Sequence, residues 1–149
     1  MRKIILIFFF LIVSQTNVLT NEKNYYLMLK NNKVHVRYGP SLKSQIKFIY
    51  KKINLPLKVI DKKENFRKII DHKNNSGWIH VSQLKKSNSL IVLKDTVVFN
   101  KNTKFSKPIV KLEKGRLALI NKCISNWCKI KSGKFKGWIQ TKNVWGAFK

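Results

Sequence analysis

Carboxylates are scarce in this 149-residue sequence: six Asp and Glu stand against 32 Lys and Arg, a formal charge of +26. The six are Glu22, Asp61, Glu64, Asp71, Asp95 and Glu113, and none sits beside a His or a Gly-rich loop in a pattern that catalysis needs. No catalytic set, metal site or cofactor-binding motif can be assembled from them, so the reading starts from a binding or scaffolding protein. Cysteine is as scarce, with Cys123 and Cys128 the only two. No segment keeps helical periodicity over three turns, which argues against a helical fold. Wholesale disorder is excluded as well, because 44% of the residues are hydrophobic and 11% aromatic.

The one long apolar run lies at the amino end. Arg2 and Lys3 precede Ile4 to Val13, and Ser14 to Asn17 return the chain to polarity. Ten apolar residues make about 15 Å of helix, half of a bilayer's hydrocarbon core, so residues 1–20 read as an export signal rather than a spanning helix. The expected location is the periplasm or the medium. No small-x-small cleavage site is obvious, and an uncleaved segment would act as an anchor and add a membrane contact.

The remainder is one pattern written twice. Phe66, Ile69, Gly77-Trp78-Ile79 and Leu84 return as Trp127, Ile130, Gly137-Trp138-Ile139 and Val144, near a period of 60. Upstream, Leu57, Val59 and Ile60 match Leu117, Leu119 and Ile120. The spacing predicts two copies, over residues 25–87 and 88–149. Within them the β-branched and aromatic runs Lys33–Val36, Leu55–Ile60, Phe66–Ile70, Leu90–Leu93, Leu117–Ile120 and Trp127–Ile130 read as short strands. Turn-forming clusters such as Tyr38-Gly39-Pro40-Ser41 and Lys131-Ser132-Gly133 separate them. Strands this short predict an all-β chain of two small tandem barrels following the signal helix.

Val34-His35-Val36-Arg37-Tyr38-Gly39-Pro40, the aromatic at 66, and Gly77-Trp78-Ile79 followed by Leu84 resemble the bacterial Src-homology-3-like domain. That family opens with Leu-Asn-Val-Arg-x-Gly-Pro and closes with Gly-Trp-Val. The second copy lacks the opening but carries Gly137-Trp138 and Trp145-Gly146, and is similar to the second half of exported tandem proteins of unknown function. His35 stands in place of the usual Asn, and Asn102 where Pro is typical. The resemblance implies two Src-homology-3-like barrels and a ligand in the cell wall.

Gly39 before Pro40 fits a turn with an unhindered backbone, and Gly77 and Gly137 would admit close approach or a bulge. Trp78 and Trp138 read first as core residues, with a ligand platform as the rival. Cys123 and Cys128 enclose four residues at the tip of an expected hairpin, a separation that suits a disulfide. A zinc site would need further ligands, yet His35, His72 and His80 all lie in the first copy. A redox pair would favour Cys-x-x-Cys, and a Cys–His hydrolase would have to form across the copy boundary. The first copy has no Cys and is expected to lean on the second.

Setting aside residues 1–20 removes Arg2 and Lys3 and none of the carboxylates. AT-rich coding accounts for Lys over Arg, which numbers four, but not for so few Asp and Glu. Many lysines alternate with apolar residues, as in Lys129-Ile130-Lys131, the pattern of a solvated sheet face. Together they attract polyanions over a long, salt-sensitive range. Nucleic acid fits the electrostatics, but export separates the chain from it. Two function classes follow. One is a non-catalytic module for cell-wall glycan or peptide, or another anionic envelope polymer, with Tyr38, Tyr50 and Trp78, or Trp127 and Trp145, as contact residues. The other is an adaptor that binds an envelope protein and positions an enzyme, its lysines passive.

Overall fold

The computed structural model describes residues 25–146. The signal or anchor expected over residues 1–20 lies outside the described residues. Runs rich in β-branched and aromatic residues, broken by turn-forming clusters, produce fourteen short strands among the described residues. Seven belong to the first copy: β1 (Tyr25–Leu29), β2 (Val34–Arg37), β3 (Ile46–Tyr50), β4 (Pro56–Lys63), β5 (Phe66–Ile70), β6 (Ser76–His80) and β7 (Leu84–Lys86). Their counterparts are β8 (Ser89–Val92), β9 (Thr96–Phe99), β10 (Pro108–Leu112), β11 (Leu117–Ile124), β12 (Trp127–Ser132), β13 (Phe135–Gln140) and β14 (Val144–Gly146). A single 3₁₀ turn precedes the last strand of each copy, at Val81–Gln83 and Thr141–Asn143.

Each copy forms one antiparallel sheet, in the orders β3-β2-β6-β5-β4-β1-β7 and β10-β9-β13-β12-β11-β8-β14. The repeat extends to the irregularities. The register slips after Val59 in β4 and after Ile120 in β11, and again in the β2–β3 and β9–β10 pairs. A bulge bends a strand and increases its twist, so these matched slips curl each sheet into a small barrel.

Closure is completed where β6 crosses β2 and β13 crosses β9. Each crossing contributes a single ladder pair, Arg37 with Trp78 and Phe99 with Trp138. The strands approach so closely that a Cβ on Gly77 would collide with Val36 and lie 3.0 Å from the Arg37 carbonyl. On Gly137 it would lie 2.7 Å from the Phe99 carbonyl. Glycine at these positions is the condition for closure.

The period-two alternation then sets the direction of the neighbouring tryptophans. Gly77 and Ile79 point inward, so Trp78 points outward and is half-buried, and Trp138 does the same beside Gly137 and Ile139. The expectation that Trp78 and Trp138 are core residues is therefore corrected. Leu29, Val34, Val36, Leu57, Ile69 and Ile79 fill the first core, and Leu90, Val92, Val98, Ala118, Ile130 and Ile139 the second.

The two barrels are not beads on a string. Strand β8 is buried along its whole length, with Leu90 and Val92 in the second core and Ile91 between them in the first. Leu117 and Trp145, also from the second copy, pack against the first core. Polar ties run alongside: Ser89 Oγ donates to the Asn54 carbonyl at 2.7 Å, and Lys52 Nζ to the Gly115 carbonyl at 3.0 Å. The Trp145 ring meets Tyr26 edge-on at 5.6 Å, and burial pushes the Tyr26 phenol up. The cysteine-free copy thus leans on its neighbour through a shared strand.

Candidate binding groove

Alternation along β2 buries Val34 and Val36 and leaves His35 and Arg37 on the outer face. That face floors a groove of about 480 Å³ in the first copy, lined by Lys33, His35, Arg37, Leu42, His80, Ser82 and Gln83. One wall is the loop after β2. There Ser41 Oγ accepts the Lys43 N–H, and Arg37 Nη1 donates to the Ser44 carbonyl at 2.6 Å, pinning the loop to the strand. Leu42 stands at the rim, 67% exposed.

The opposite wall is the 3₁₀ turn. Ser82 N–H donates to His80 Nδ1 at 3.3 Å and caps the turn, with the Ser82 hydroxyl 2.8 Å from the same nitrogen. The Phe66 ring holds His80 edge-on at 5.2 Å. Asn31 Nδ2 donates to Gln83 Oε1 at 2.9 Å, linking the β1–β2 turn to the same wall. No carboxylate among the described residues lines the groove. It offers hydrogen-bond donors, two imidazoles, two permanent cations and one apolar rim residue, a donor-rich set suited to an anionic or oxygen-rich ligand.

The second copy does not reproduce this set. Val97 and Phe99 occupy the outward β9 positions, and Gln140 stands where the first copy has His80. Asp95 is engaged by Lys111 at 3.2 Å and by the Lys114 N–H at 3.0 Å, and these contacts hold its carboxyl below the ordinary value.

The five aromatics expected as contacts are dispersed. Tyr38, 64% exposed, follows β2 directly, with Lys47 Nζ 5.6 Å from its ring centroid. Trp78 lies opposite Arg37 in the ladder and projects from the same face, beside the groove. Tyr50 turns to the core, its hydroxyl donating to Asp71 at 2.9 Å; burial and then the Asp71 charge push its phenol well up. Trp127 is 8% exposed and stacked edge-on to Phe99, and Trp145 sits at the seam. Neither Tyr38 nor Trp78 is among the residues that line the groove, and Trp127 and Trp145 belong to packing. Lys33, His35, Arg37, Leu42, His80, Ser82 and Gln83 were not singled out as site residues by the sequence. The available signal was the polar phase of β2, with His35 departing from the family's Asn.

Cys123 and Cys128 are bonded as a disulfide across directly opposed positions of the β11–β12 hairpin, with Cα atoms 4.0 Å apart. Zinc or Cys–His chemistry has no free thiol to use here. Lys62 and Arg67 occupy the equivalent rung in the first copy.

Two curled antiparallel sheets of seven strands, each ending in a 3₁₀ turn and a short strand, define a tandem pair of Src-homology-3-like modules. The family model described as "Bacterial SH3 domain" matches residues 30–86 and again 94–146, and the chain belongs to that family. Such domains are generally non-catalytic and often serve as cell-wall binding modules. The family and the disulfide fit an extracytoplasmic protein. No helix among the described residues is long and apolar enough to cross a membrane.

No curated protein matches the sequence significantly. Among solved structures, NlpC2 from Trichomonas vaginalis is similar at 11% identity and a TM-score of 0.39, covering 83% of this chain and 48% of that one. NlpC1 from the same organism is similar at 10% identity and a TM-score of 0.39, covering 86% of this chain and 48% of that one. The chain matches about half the length of each.

Proposed function

We propose that this protein is a non-catalytic module that binds peptidoglycan, or another anionic polymer of the cell envelope, through the groove of its first copy. The observation that carries the reading is the groove lining itself: Lys33, Arg37, His35 and His80 converge, and no carboxylate among the described residues opposes them. The surrounding lysine field would concentrate a polyanion, and the groove would supply the short-range contacts. Trp78, opposite Arg37 on the same sheet face, would offer a face for sugar rings or peptide.

The test is co-sedimentation of the oxidised protein with isolated sacculi at low salt and at about 0.5 M salt, where the Debye length is near 4 Å. Binding should persist at high salt and fall by about tenfold in Arg37→Gln, through loss of a charge-assisted hydrogen bond. Binding seen at low salt alone would reduce the protein to a general polyanion binder.

A second reading, an adaptor for an envelope protein, is favoured by one observation. Phe105 is 100% exposed at the tip of the second copy's equivalent loop, held there by a turn in which Thr103 Oγ1 accepts its N–H. If sacculi fail to bind at either salt concentration, this reading takes over.

A further inference from the structure

A second basic cleft lies away from the groove, at the junction of the barrels. Its volume is about 340 Å³, and Lys52 of the first copy meets Lys114, Gly115, Arg116 and Gly133 of the second across it. Gly115 and Gly133 both turn with positive φ, 84° and 56°, and a Cβ at either would meet nothing within 4 Å. No side-chain carbon crowds the floor at these two turns, and Lys52 Nζ is held at the cleft by the Gly115 carbonyl at 3.0 Å.

The surrounding charge is one-sided. Burial pushes the Lys52 ammonium down, and Arg116 and then Lys73 push it further. Burial likewise lowers the His72 imidazole; Asp71 opposes this, while Lys73, Lys52 and Lys114 reinforce it. The Nδ1 of His72 is buried without a hydrogen-bond partner among the described residues. Three carboxylates are at hand, of which Asp95, accepting the Lys114 N–H, is offset by its ion pair with Lys111. Asp71 is committed to Tyr50, to Asn75 and to the Lys73 N–H, and Glu113 lines the cleft. Lys52, Lys73, Lys114 and Arg116 thus exceed Asp71 and Glu113 by two charges.

We propose that this inter-barrel cleft is an anion site that binds a phosphoryl group, bridging Lys52 of one barrel and Arg116 of the other. The charge excess matches a dianion better than a single carboxylate. A planar guanidinium beside an ammonium is a pairing suited to phosphate oxygens. The source of the phosphoryl group is either a soluble phosphate or the headgroup of an anionic lipid, and both present the same chemistry. The site is independent of the first-copy groove.

The test titrates the full oxidised chain with pyrophosphate, and separately with phosphatidylglycerol vesicles, against chloride at matched ionic strength. Amide NMR follows Gly115, Arg116 and Gly133 with pyrophosphate, and flotation reads vesicle binding. Saturable shifts at these amides, or vesicle binding, should weaken about tenfold in Arg116→Gln and in Lys52→Gln. Lys85→Gln, an equal change of charge on an exposed strand, should leave binding within twofold. Response to pyrophosphate alone assigns a soluble phosphate, and response to vesicles alone a headgroup. Absence of both responses, or equal weakening in Lys85→Gln, overturns the site. Neither outcome bears on sacculus binding through Arg37.

Discussion

Ile91 belongs by chain position to the second barrel and by contact to the first, and is fully buried. Ile91→Ala deletes three carbons. At about 0.8 kcal/mol each, their transfer term is roughly 2.4 kcal/mol. The vacated space, on the order of 80 Å³, adds about 2 kcal/mol at the cavity coefficient for rigid cores. A loss of about 4 kcal/mol is a large share of the stability of a domain pair this size. The lesion sits in the first core, but β8 also carries Leu90 and Val92 into the second, so the loss should be felt in both. Native-state hydrogen exchange reads this directly. Slowly exchanging amides of β5 and β12 should lose protection together and by the same free energy, with a single urea transition of unchanged slope. If β5 alone loses protection, or the urea curve divides into two steps, the barrels are independent units and the shared-strand account is wrong.

Two further outcomes follow from other sites. Replacing both Cys123 and Cys128 by Ser, or reducing their bond, should cost about 2 kcal/mol for a loop this short and lower Tm by roughly 5–10 °C; an unchanged Tm would mean the hairpin is held by packing alone. Burial of Asp71, 3% exposed, would raise its carboxyl, but hydrogen bonds from Asn75, the Lys73 N–H and Tyr50 outweigh it and hold the group below its ordinary value. Its stabilisation is therefore fully present above the ordinary carboxylate value of about 4 and is lost as pH falls through the lower folded value. Asp71→Asn should flatten that acid limb of Tm against pH, and parallel wild-type and variant curves would contradict the assignment.

The repeat was legible because each copy spends its glycine and its inward apolar residues at the same strand positions. Phe66–Ile70 stands as β5 with the bounds its composition suggests, and the Cys123–Cys128 rung follows from hairpin geometry. Strand lengths were less legible. The β4 strand runs on to Lys63 and β11 to Ile124, through lysines and Asp61 that look like turn, because the bulges let an exposed ladder continue past the core. Hydrophobicity alone pointed Trp78 and Trp138 inward, whereas the close strand crossing reserves the inward phase for Gly77 and Gly137. The groove was hidden for a different reason. Lysines are spread over eight of the fourteen strands and the turns between them, so nothing in the pattern marks Lys33 and Arg37 as converging with His80, which comes from a strand four elements later.

The shared strand also imposes an order in time. Synthesised amino end first, the chain has every strand of the first barrel once Lys86 has emerged, but the core stays unsealed until Ile91, then Leu117, then Trp145 arrive. The first barrel must wait for residues of the second, so it remains pliable until β14 is available. A chain cut before Trp145 would leave two unfinished barrels, because the residue that completes the first is made near the end of the second.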